Sequence, residues 1–206
     1  MTVRTTSFAQ EREPSIVDRA GRWLSTSRMR RYLGDVHGKR CADIGCGHDA
    51  ALATSLFGSA ASVLLVDVAI DPALASQQRR LLEGYLPDVL AGIPDASIDA
   101  LICNNVLEHL EAPDSTAAGL HRILAPGGVC IVNVPSWRGK RFLELAAFRL
   151  GVAPKDEMDD HKAYYDPRDL WPMLVRAGFL PSGIAVRRHK GGLNTIARCR
   201  KAAAPC

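Results

Sequence analysis

Residues 40–50 read Arg-Cys-Ala-Asp-Ile-Gly-Cys-Gly-His-Asp-Ala, and this stretch decides the fold of the chain. An apolar run ends in a carboxylate, Asp43, and two glycines follow it closely. Gly45 and Gly47 can adopt backbone angles that other residues avoid, and they leave no side chain between backbone and ligand. A strand that turns on two glycines into a helix is typical of a nucleotide-binding site.

The chain has 206 residues, of which 47% are hydrophobic, and this length suits one well-buried α/β domain over residues 1–206. Solvated arginines are enough to explain the small net charge of +4. Because no run of about 18 apolar residues is present, we expect no membrane span. The first 13 residues are polar and contain no apolar signal core, so we expect a cytoplasmic protein rather than a secreted one.

Six cysteines stand at positions 41, 46, 103, 130, 199 and 206, without a C-x-x-C pair or a cluster of histidine and cysteine ligands. Several of them fall in apolar runs, where reduced cysteine behaves as a small hydrophobic residue. We therefore expect neither a disulfide framework nor a metal ion, and a reducing compartment fits. Acids at 156, 157, 159 and 160 are a metal-ligand alternative, but carboxylate runs are more often simply solvated.

Strand and helix patterns alternate along most of the chain. Apolar runs predict strands at about 40–44, 62–67, 98–103 and 128–134. Helices are expected at 15–33, 49–57, 72–84, 114–123, 139–150 and 167–177. Residues 184–189 and 193–199 flank a Lys-Gly-Gly turn and predict an antiparallel hairpin. The pattern is that of an α/β fold with a doubly wound, mostly parallel sheet that a C-terminal hairpin closes.

Two cofactors are compatible with the glycine turn. The spacing Gly45-x-Gly47-x-x-Ala50 satisfies a loose dinucleotide pattern, and Asp67, 20 residues beyond Gly47, could take the ribose hydroxyls. An NAD(P)-dependent oxidoreductase therefore competes. However, the carboxylate of Asp43 would repel a pyrophosphate, whereas it would stabilise the ammonium and sulfonium of S-adenosylmethionine. Charge thus favours S-adenosylmethionine.

Five motifs follow one another in an order that resembles the class I S-adenosylmethionine-dependent methyltransferases, of the small-molecule, methyltransferase-11-like type. They are DIGCG at 43–47, LVD at 65–67, IPDASID at 93–99, NVLEHL at 105–110 and LAPGG at 124–128. Each motif alone is moderately specific, but their common order and spacing make a strong signal. The resemblance covers about residues 35–200 and implies a seven-stranded Rossmann-like sheet with S-adenosylmethionine as cofactor.

Carried over by position, the resemblance assigns the cofactor-binding residues around the glycine turn. Gly45 and Gly47 would pack against the methionine portion, with Asp43 near its ammonium. Asp67 would accept hydrogen bonds from both ribose hydroxyls, and Val68 would lie beside the adenine.

Three further positions follow from the resemblance, and one departs from it. Asp88 matches, with a shift of about one residue, the acid that receives the adenine amino group. Asn104 and Asn105 follow the fourth predicted strand, where relatives line the methyl-donor pocket. Asp49 stands where many relatives carry a third glycine, and we expect it to cap the next helix instead.

Candidate catalytic groups lie in two places. His161 is the first choice for a general base, with Tyr164 beside it, in the stretch 135–166 that we expect to recognise the substrate and act as a lid. The alternative for this cluster is a solvated loop with half-buried tyrosines. His109, beside Glu108, is the second choice, although such a pair often only orders its loop.

The acceptor is defined mainly by exclusion. Methylation of nucleobase or glutamine amino groups usually goes with an Asn/Asp-Pro-Pro-Tyr/Phe motif, and residues 104–107 read Asn-Asn-Val-Leu instead. Aromatic residues rarely interleave the arginines, which disfavours a nucleic-acid partner. We expect methylation of an O, N or C atom of a small molecule, sugar or lipid-linked intermediate. A regulatory subunit that binds S-adenosylmethionine without catalysis remains open, as does the oligomeric state.

Overall fold

The central strand of the sheet is the segment that precedes the glycine turn. In the computed structural model, which describes Ser7 and residues 16–140 and 162–203, this strand is β1 (Arg40–Ile44). It lies parallel between β2 (Ser62–Asp67) and β4 (Ile98–Asn104). Its last four residues are buried, because both faces of a central parallel strand are covered.

Four more strands complete a seven-stranded sheet of order β3-β2-β1-β4-β5-β7-β6. They are β3 (Arg79–Glu83), β5 (Leu124–Pro135), β6 (Ile184–His189) and β7 (Asn194–Arg200). The first five strands run parallel, and β7 pairs antiparallel with both β5 and β6. This topology confirms the predicted α/β class, the mostly parallel Rossmann-like sheet and the closing hairpin.

The helix predicted over residues 72–84 is wrong. Only Pro72–Leu74 forms a short 3-10 turn, and Arg79–Glu83 pairs in parallel with β2 as the edge strand β3. The segment contains Leu, Arg and Glu and no β-branched residue, so local propensity favours a helix. Pairing with the exposed edge of β2 overrides that preference.

Four α-helices that end within the described residues cover the two faces of the sheet. They are α1 (Ile16–Leu33), α2 (Ala51–Leu56), α3 (Pro113–Ile123) and α4 (Pro167–Arg176), close to four of the predicted ranges. Met29 of α1 packs with Ile131 and Ile196 on one face. Leu170 of α4 packs with Val132 and Ala197 on the other. We call these the α1 face and the α4 face.

Several predictions fall wholly or partly outside the described residues. These are the flexible segment 1–14 apart from Ser7, the body of the helix 139–150, and most of the substrate-recognition stretch 135–166. Residues 137–140 do form a helical turn directly after β5. None of the described helices combines the length and the apolar character needed to cross a bilayer.

Candidate cofactor and acceptor site

The glycine turn lies at the carboxyl edge of the sheet and requires glycine at its first position. Gly45 has a φ of +76°, and a Cβ added there would meet Cγ2 of Val106 at 2.2 Å. The N–H groups of Gly45 and Cys46 both donate to the carbonyl of Val66, at 2.8 and 3.1 Å. The turn is therefore hydrogen-bonded to the end of β2 and packed against the loop that follows β4.

Asp43 is the buried acid of this site. Its side chain is 1% exposed, and neither carboxylate oxygen has a hydrogen-bond partner among the described residues. Burial is the main cause that raises the pKa of Asp43 to about 8, and the nearby charge of Asp67 adds to the rise. The backbone N–H of Ala53, which approaches the carboxyl without forming a hydrogen bond of normal geometry, acts in the opposite direction. A buried carboxyl without a partner is costly when ionised, so a cation bound beside it would be strongly favoured.

Asp67, at the end of β2, holds the second half of the turn. Its Oδ2 accepts the N–H of Gly47 at 2.8 Å, and its Oδ1 accepts the N–H of Val68 at 2.7 Å. The Ser7 hydroxyl also donates to Oδ1 of Asp67 and to the carbonyl of Ala69. A hydroxyl from the N-terminal segment thus already uses an oxygen that was assigned to the ribose.

The region beyond β2 contains one acid that the sequence prediction missed. Glu83 is the register partner of Asp67, and its Oε1 accepts the N–H of Ile70 at 2.7 Å. Asp88 lies in a 3-10 turn after β3 and is exposed. The assignment of Asp88 to an adenine amino group stays a prediction. Glu83 could be found only once β3 was recognised as a strand.

An asparagine cluster lies where β4, β5 and β7 meet. Nδ2 of Asn133 donates to Oδ1 of Asn104 at 2.9 Å and to Oδ1 of Asn105 at 3.4 Å. Nδ2 of Asn194 approaches Oδ1 of Asn105 at 3.5 Å. Asn105 itself has a φ of +54°, which asparagine tolerates better than most residues. The two asparagines predicted for the donor pocket are thus linked to two that were not predicted.

The structure describes two of the three candidate bases, His109 and Tyr164. Nε2 of His109 lies 4.0 Å from Oε1 of the fully buried Glu108. Tyr164 is 7% exposed, and its ring centroid lies 5.6 Å from that of Trp137. His161 lies outside the described residues. The chain returns beside Glu108, whose carbonyl accepts the N–H groups of residues 162 and 163 at 2.7 and 3.2 Å. This return brings Tyr164 to the end of β5.

Asp49 supports the helix after the turn. Its Oδ1 accepts the N–H of Ala51, the first residue of α2, at 3.3 Å. Ala50, rather than Asp49, occupies the N-cap position, with a left-handed backbone. Asp49 therefore binds an N–H group at the start of the helix, as expected of a capping side chain, but it stands one residue before the N-cap position.

Cysteines and acids form no second site in the part of the chain that the structure describes. Five cysteines there are buried free thiols: Cys41, Cys46, Cys103, Cys130 and Cys199. Within those same residues no three His, Cys, Asp or Glu side chains converge as metal ligands. The acids at 156, 157, 159 and 160 are outside them.

Comparison with known proteins bears on the family to which the chain is similar. Residues 42–132 match a family model described as a methyltransferase domain. The ubiquinone biosynthesis O-methyltransferase of Aeromonas salmonicida is 27% identical over 158 residues, which are 71% of this chain and 65% of that protein. The enzyme of the same name from Paracidovorax citrulli is 30% identical over 135 residues, 60% of this chain and 56% of that protein. The match therefore spans less than two thirds of either relative.

Solved structures share the fold at lower identity. A SAM-dependent methyltransferase from Archaeoglobus fulgidus superposes with a TM-score of 0.64 at 16% identity. The superposition covers 87% of this chain and 94% of that one. This likeness establishes the fold, and the chemistry rests on the site.

Proposed function

The chain carries a class I S-adenosylmethionine-dependent methyltransferase domain, and on this premise we propose that it methylates an oxygen atom of a small molecule. The observation that carries the proposal is Asp43, a fully buried carboxyl with no hydrogen-bond partner among the described residues. In its ionised form this carboxyl suits a cationic cofactor and opposes the pyrophosphate of NAD(P). The oxidoreductase alternative rests on the loose glycine spacing and on Asp67, and both of these features also fit S-adenosylmethionine.

The residues around the turn fit the cofactor in chemical type. Asp43 would hold the ammonium, and the close approach of Gly45 to Val106 leaves room only for backbone at that point. Asp67 would accept the ribose hydroxyls, in exchange for the hydroxyl of Ser7. When bound, S-adenosylmethionine supplies an electrophilic methyl group on a sulfonium. The chain's task is to hold an acceptor atom in line with that methyl group and to exclude water.

The oxygen acceptor is inferred from the O-methyltransferase relatives, since the site residues alone do not select among O, N and C atoms. A hydroxyl must lose its proton during transfer, and three side chains are proposed for this role: His161, His109 and Tyr164. Tyr164 and His109 are brought to the same edge by the return of the chain past Glu108. The stretch 135–166 is proposed to select the acceptor.

We also propose a cytoplasmic setting and a single domain over residues 1–206. Five buried free thiols suit a reducing compartment. A nucleic-acid acceptor and a purely regulatory role are not favoured, because the relatives are O-methyltransferases and the residues predicted to bind the cofactor are present.

A labelled-methyl screen tests the proposal. The protein is incubated with S-adenosylmethionine carrying a radioactive methyl group and a library of hydroxylated small molecules. We expect label in at least one acceptor with wild-type protein and none with Asp43→Asn. Transfer to an oligonucleotide or to a protein in preference to every small molecule would contradict the proposal.

A further inference from the structure

His189 is a buried histidine that neither the motifs nor the family match explain. It is the last residue of β6 and is 7% exposed, and its Nε2 has no hydrogen-bond partner among the described residues. Buried polar atoms are normally satisfied, so an orphaned one at the edge of a site points to a ligand. His189 is therefore a candidate contact for the acceptor.

The hairpin register places His189 on the α1 face. His189 pairs directly with Asn194, and Arg187 pairs with Ile196, which packs under Met29 of α1. Directly paired residues of antiparallel strands project to the same side of the sheet. His189, Asn194 and Arg187 therefore share the face on which Asp43 also lies.

The asparagine cluster connects this histidine to the donor end of the site. Asn194, beside His189, approaches Asn105, and Asn105 in turn contacts Asn133. Oδ1 of Asn133 is also buried without a partner among the described residues. A polar path thus runs from His189 to Asn104, with unsatisfied atoms at two points along it.

The turn after His189 is held firmly against the end of β5. The hydroxyl of Ser136 donates to the carbonyl of Gly192 at 2.6 Å and accepts the N–H of Gly139 at 3.0 Å. A Cβ on Gly139 would lie 2.2 Å from the carbonyl oxygen of Leu193, so the two segments are in close contact. These contacts fix the position of His189 relative to the site.

The surroundings of His189 are positively charged. Arg28 of α1, whose guanidinium lies 5.9 Å from the ring centroid of Tyr32, is one of the two positive charges that act on His189. Burial, and then the positive charges of Lys190 and Arg28, lower the pKa of His189 to about 4. The imidazole is therefore neutral at physiological pH and can hydrogen-bond an anion or a polar group without a charge of its own.

Within the described part of the chain, Arg28 and the two hairpin arginines Arg187 and Arg198 form no ion pair. Ion pairs of the described residues use other cations: Arg40, Arg122, Lys162, Arg168 and Arg176. Arg28, Arg187 and Arg198 have no carboxylate within ion-pair distance in the described part of the chain. An excess of cations beside a buried polar group is the arrangement that binds carboxylate or phosphate.

We propose that His189, Asn194, Arg28 and Arg187 bind an anionic group, carboxylate or phosphate, of the methyl acceptor. The anion would lie at the hairpin, and the rest of the acceptor would extend along the asparagine cluster, so that its reacting oxygen reaches Asn104. This inference rests on the proposed function for the identity of the ligand as an acceptor. It narrows the substrate class to acidic small molecules.

Heteronuclear NMR of the full chain tests the anion site without knowledge of the acceptor. Benzoate and inorganic phosphate are the two anionic probes, and benzamide is the neutral match of benzoate in shape. We expect benzoate or phosphate to shift the signals of His189 and Asn194 with a Kd in roughly the millimolar range, and benzamide to leave them unchanged. Comparison of the two anions distinguishes carboxylate from phosphate recognition.

Three substitutions test whether the named side chains bind the anion. Arg28→Gln, Arg187→Gln and His189→Phe should each weaken anion binding about tenfold or more, because each removes a charge or a hydrogen bond to the anion. Arg168→Gln is the matched control, since that guanidinium is 82% exposed on α4, on the opposite face. Calorimetric binding of S-adenosylmethionine should be unchanged in all four variants, and spectra show whether each one folds.

The outcomes separate the two proposals. Equal binding of benzoate and benzamide, no binding of either anion up to about 50 mM, or unchanged affinity in the three variants would overturn the anion site. Preferential binding of a short oligonucleotide over both small anions would also overturn it. Failure of S-adenosylmethionine to bind would contradict the proposed function while leaving the anion result readable.

Discussion

Asp67 accepts the backbone N–H of Gly47 at 2.8 Å, so the acid that ends β2 directly holds the glycine turn that follows β1. The same carboxylate accepts the N–H of Val68, and it is also the group assigned to the ribose. Asp67 therefore holds the glycine turn in place and is also expected to bind the cofactor. A change at Asp67 is expected to act on the cofactor both directly and through the turn.

Asp67→Ala should reduce affinity for S-adenosylmethionine by ~1.5–3 kcal/mol, about 10- to 150-fold, because charge-assisted hydrogen bonds are lost. Isothermal titration calorimetry measures the effect. Asp114→Asn is the control, because this surface acid pairs only with an exposed arginine on the other face. Affinity that is equal in Asp67→Ala and wild type would remove Asp67 from the cofactor site.

Ser7→Ala should strengthen cofactor binding. The Ser7 hydroxyl donates to the oxygen of Asp67 that the ribose is proposed to use, so this bond must break when the cofactor enters. Removal of a hydrogen bond that competes should raise affinity by roughly 2- to 10-fold. Ser97→Ala, whose hydroxyl contacts only the carbonyl of Pro94, serves as the control. Weaker binding in Ser7→Ala would show that Ser7 supports the cofactor.

Asp43 should make cofactor binding depend on pH. The pKa of Asp43 is raised to about 8 in the free protein, so its carboxyl is mostly protonated at pH 7. A bound ammonium favours the ionised form, hence binding releases a proton and the affinity should rise by up to about tenfold per pH unit between pH 6 and 7.5. Calorimetry in buffers of different ionisation enthalpy counts the proton. Asp43→Asn should abolish both effects, and proton release that persists in this variant would assign it to another group.

Asp43 should also affect the stability of the free protein. The pKa of Asp43 in the folded protein lies above the unfolded value of 3.8. The contribution of Asp43 to the free energy of unfolding is therefore present in full below pH 3.8 and is lost as pH rises through about 8. The stability of Asp43→Asn relative to wild type should therefore improve by up to about 1.4 kcal/mol for each pH unit between 5 and 7.5. Urea unfolding at several pH values measures it. Parallel stability curves for the two proteins would mean that Asp43 ionises normally.

Gly45→Ala should destabilise the protein more than Gly38→Ala. Both glycines have positive φ, +76° and +69°, but only at Gly45 does a Cβ meet another residue, Val106. Backbone strain costs roughly 1 kcal/mol at each site, and the contact adds to it only at Gly45. Adding Val106→Ala should recover part of the loss in Gly45→Ala. Equal losses of stability in Gly45→Ala and Gly38→Ala would show that Val106 moves aside without a measurable free-energy cost.

Much of the fold could be predicted because its signals are local. The ranges of β1, β2 and β6 match the predicted strands, since each is a short run bounded by turn residues. The strand β3 could not be predicted, because its residues favour a helix and only the edge of β2 makes them extended. Because β3 was not predicted as a strand, the position of Glu83 beside Asp67 was not predicted either.

For the candidate site, the sequence predicts residues whose positions the structure describes and whose roles stay predictions. Asp43, Gly45 and Asp67 follow from motif and charge, and the structure brings them to one edge of the sheet. Asn194 and His189 carry no motif, and although the hairpin was predicted, only its register shows that these two residues pair. The contact between Asn194 and Asn105, 89 residues apart in the chain, could not be predicted from local sequence.

Calorimetric titration of the full chain with S-adenosylmethionine and with NAD tests the central claim most directly. We predict that S-adenosylmethionine binds with one site per chain and that NAD gives no saturable heat. Saturable binding of NAD without binding of S-adenosylmethionine would contradict the account.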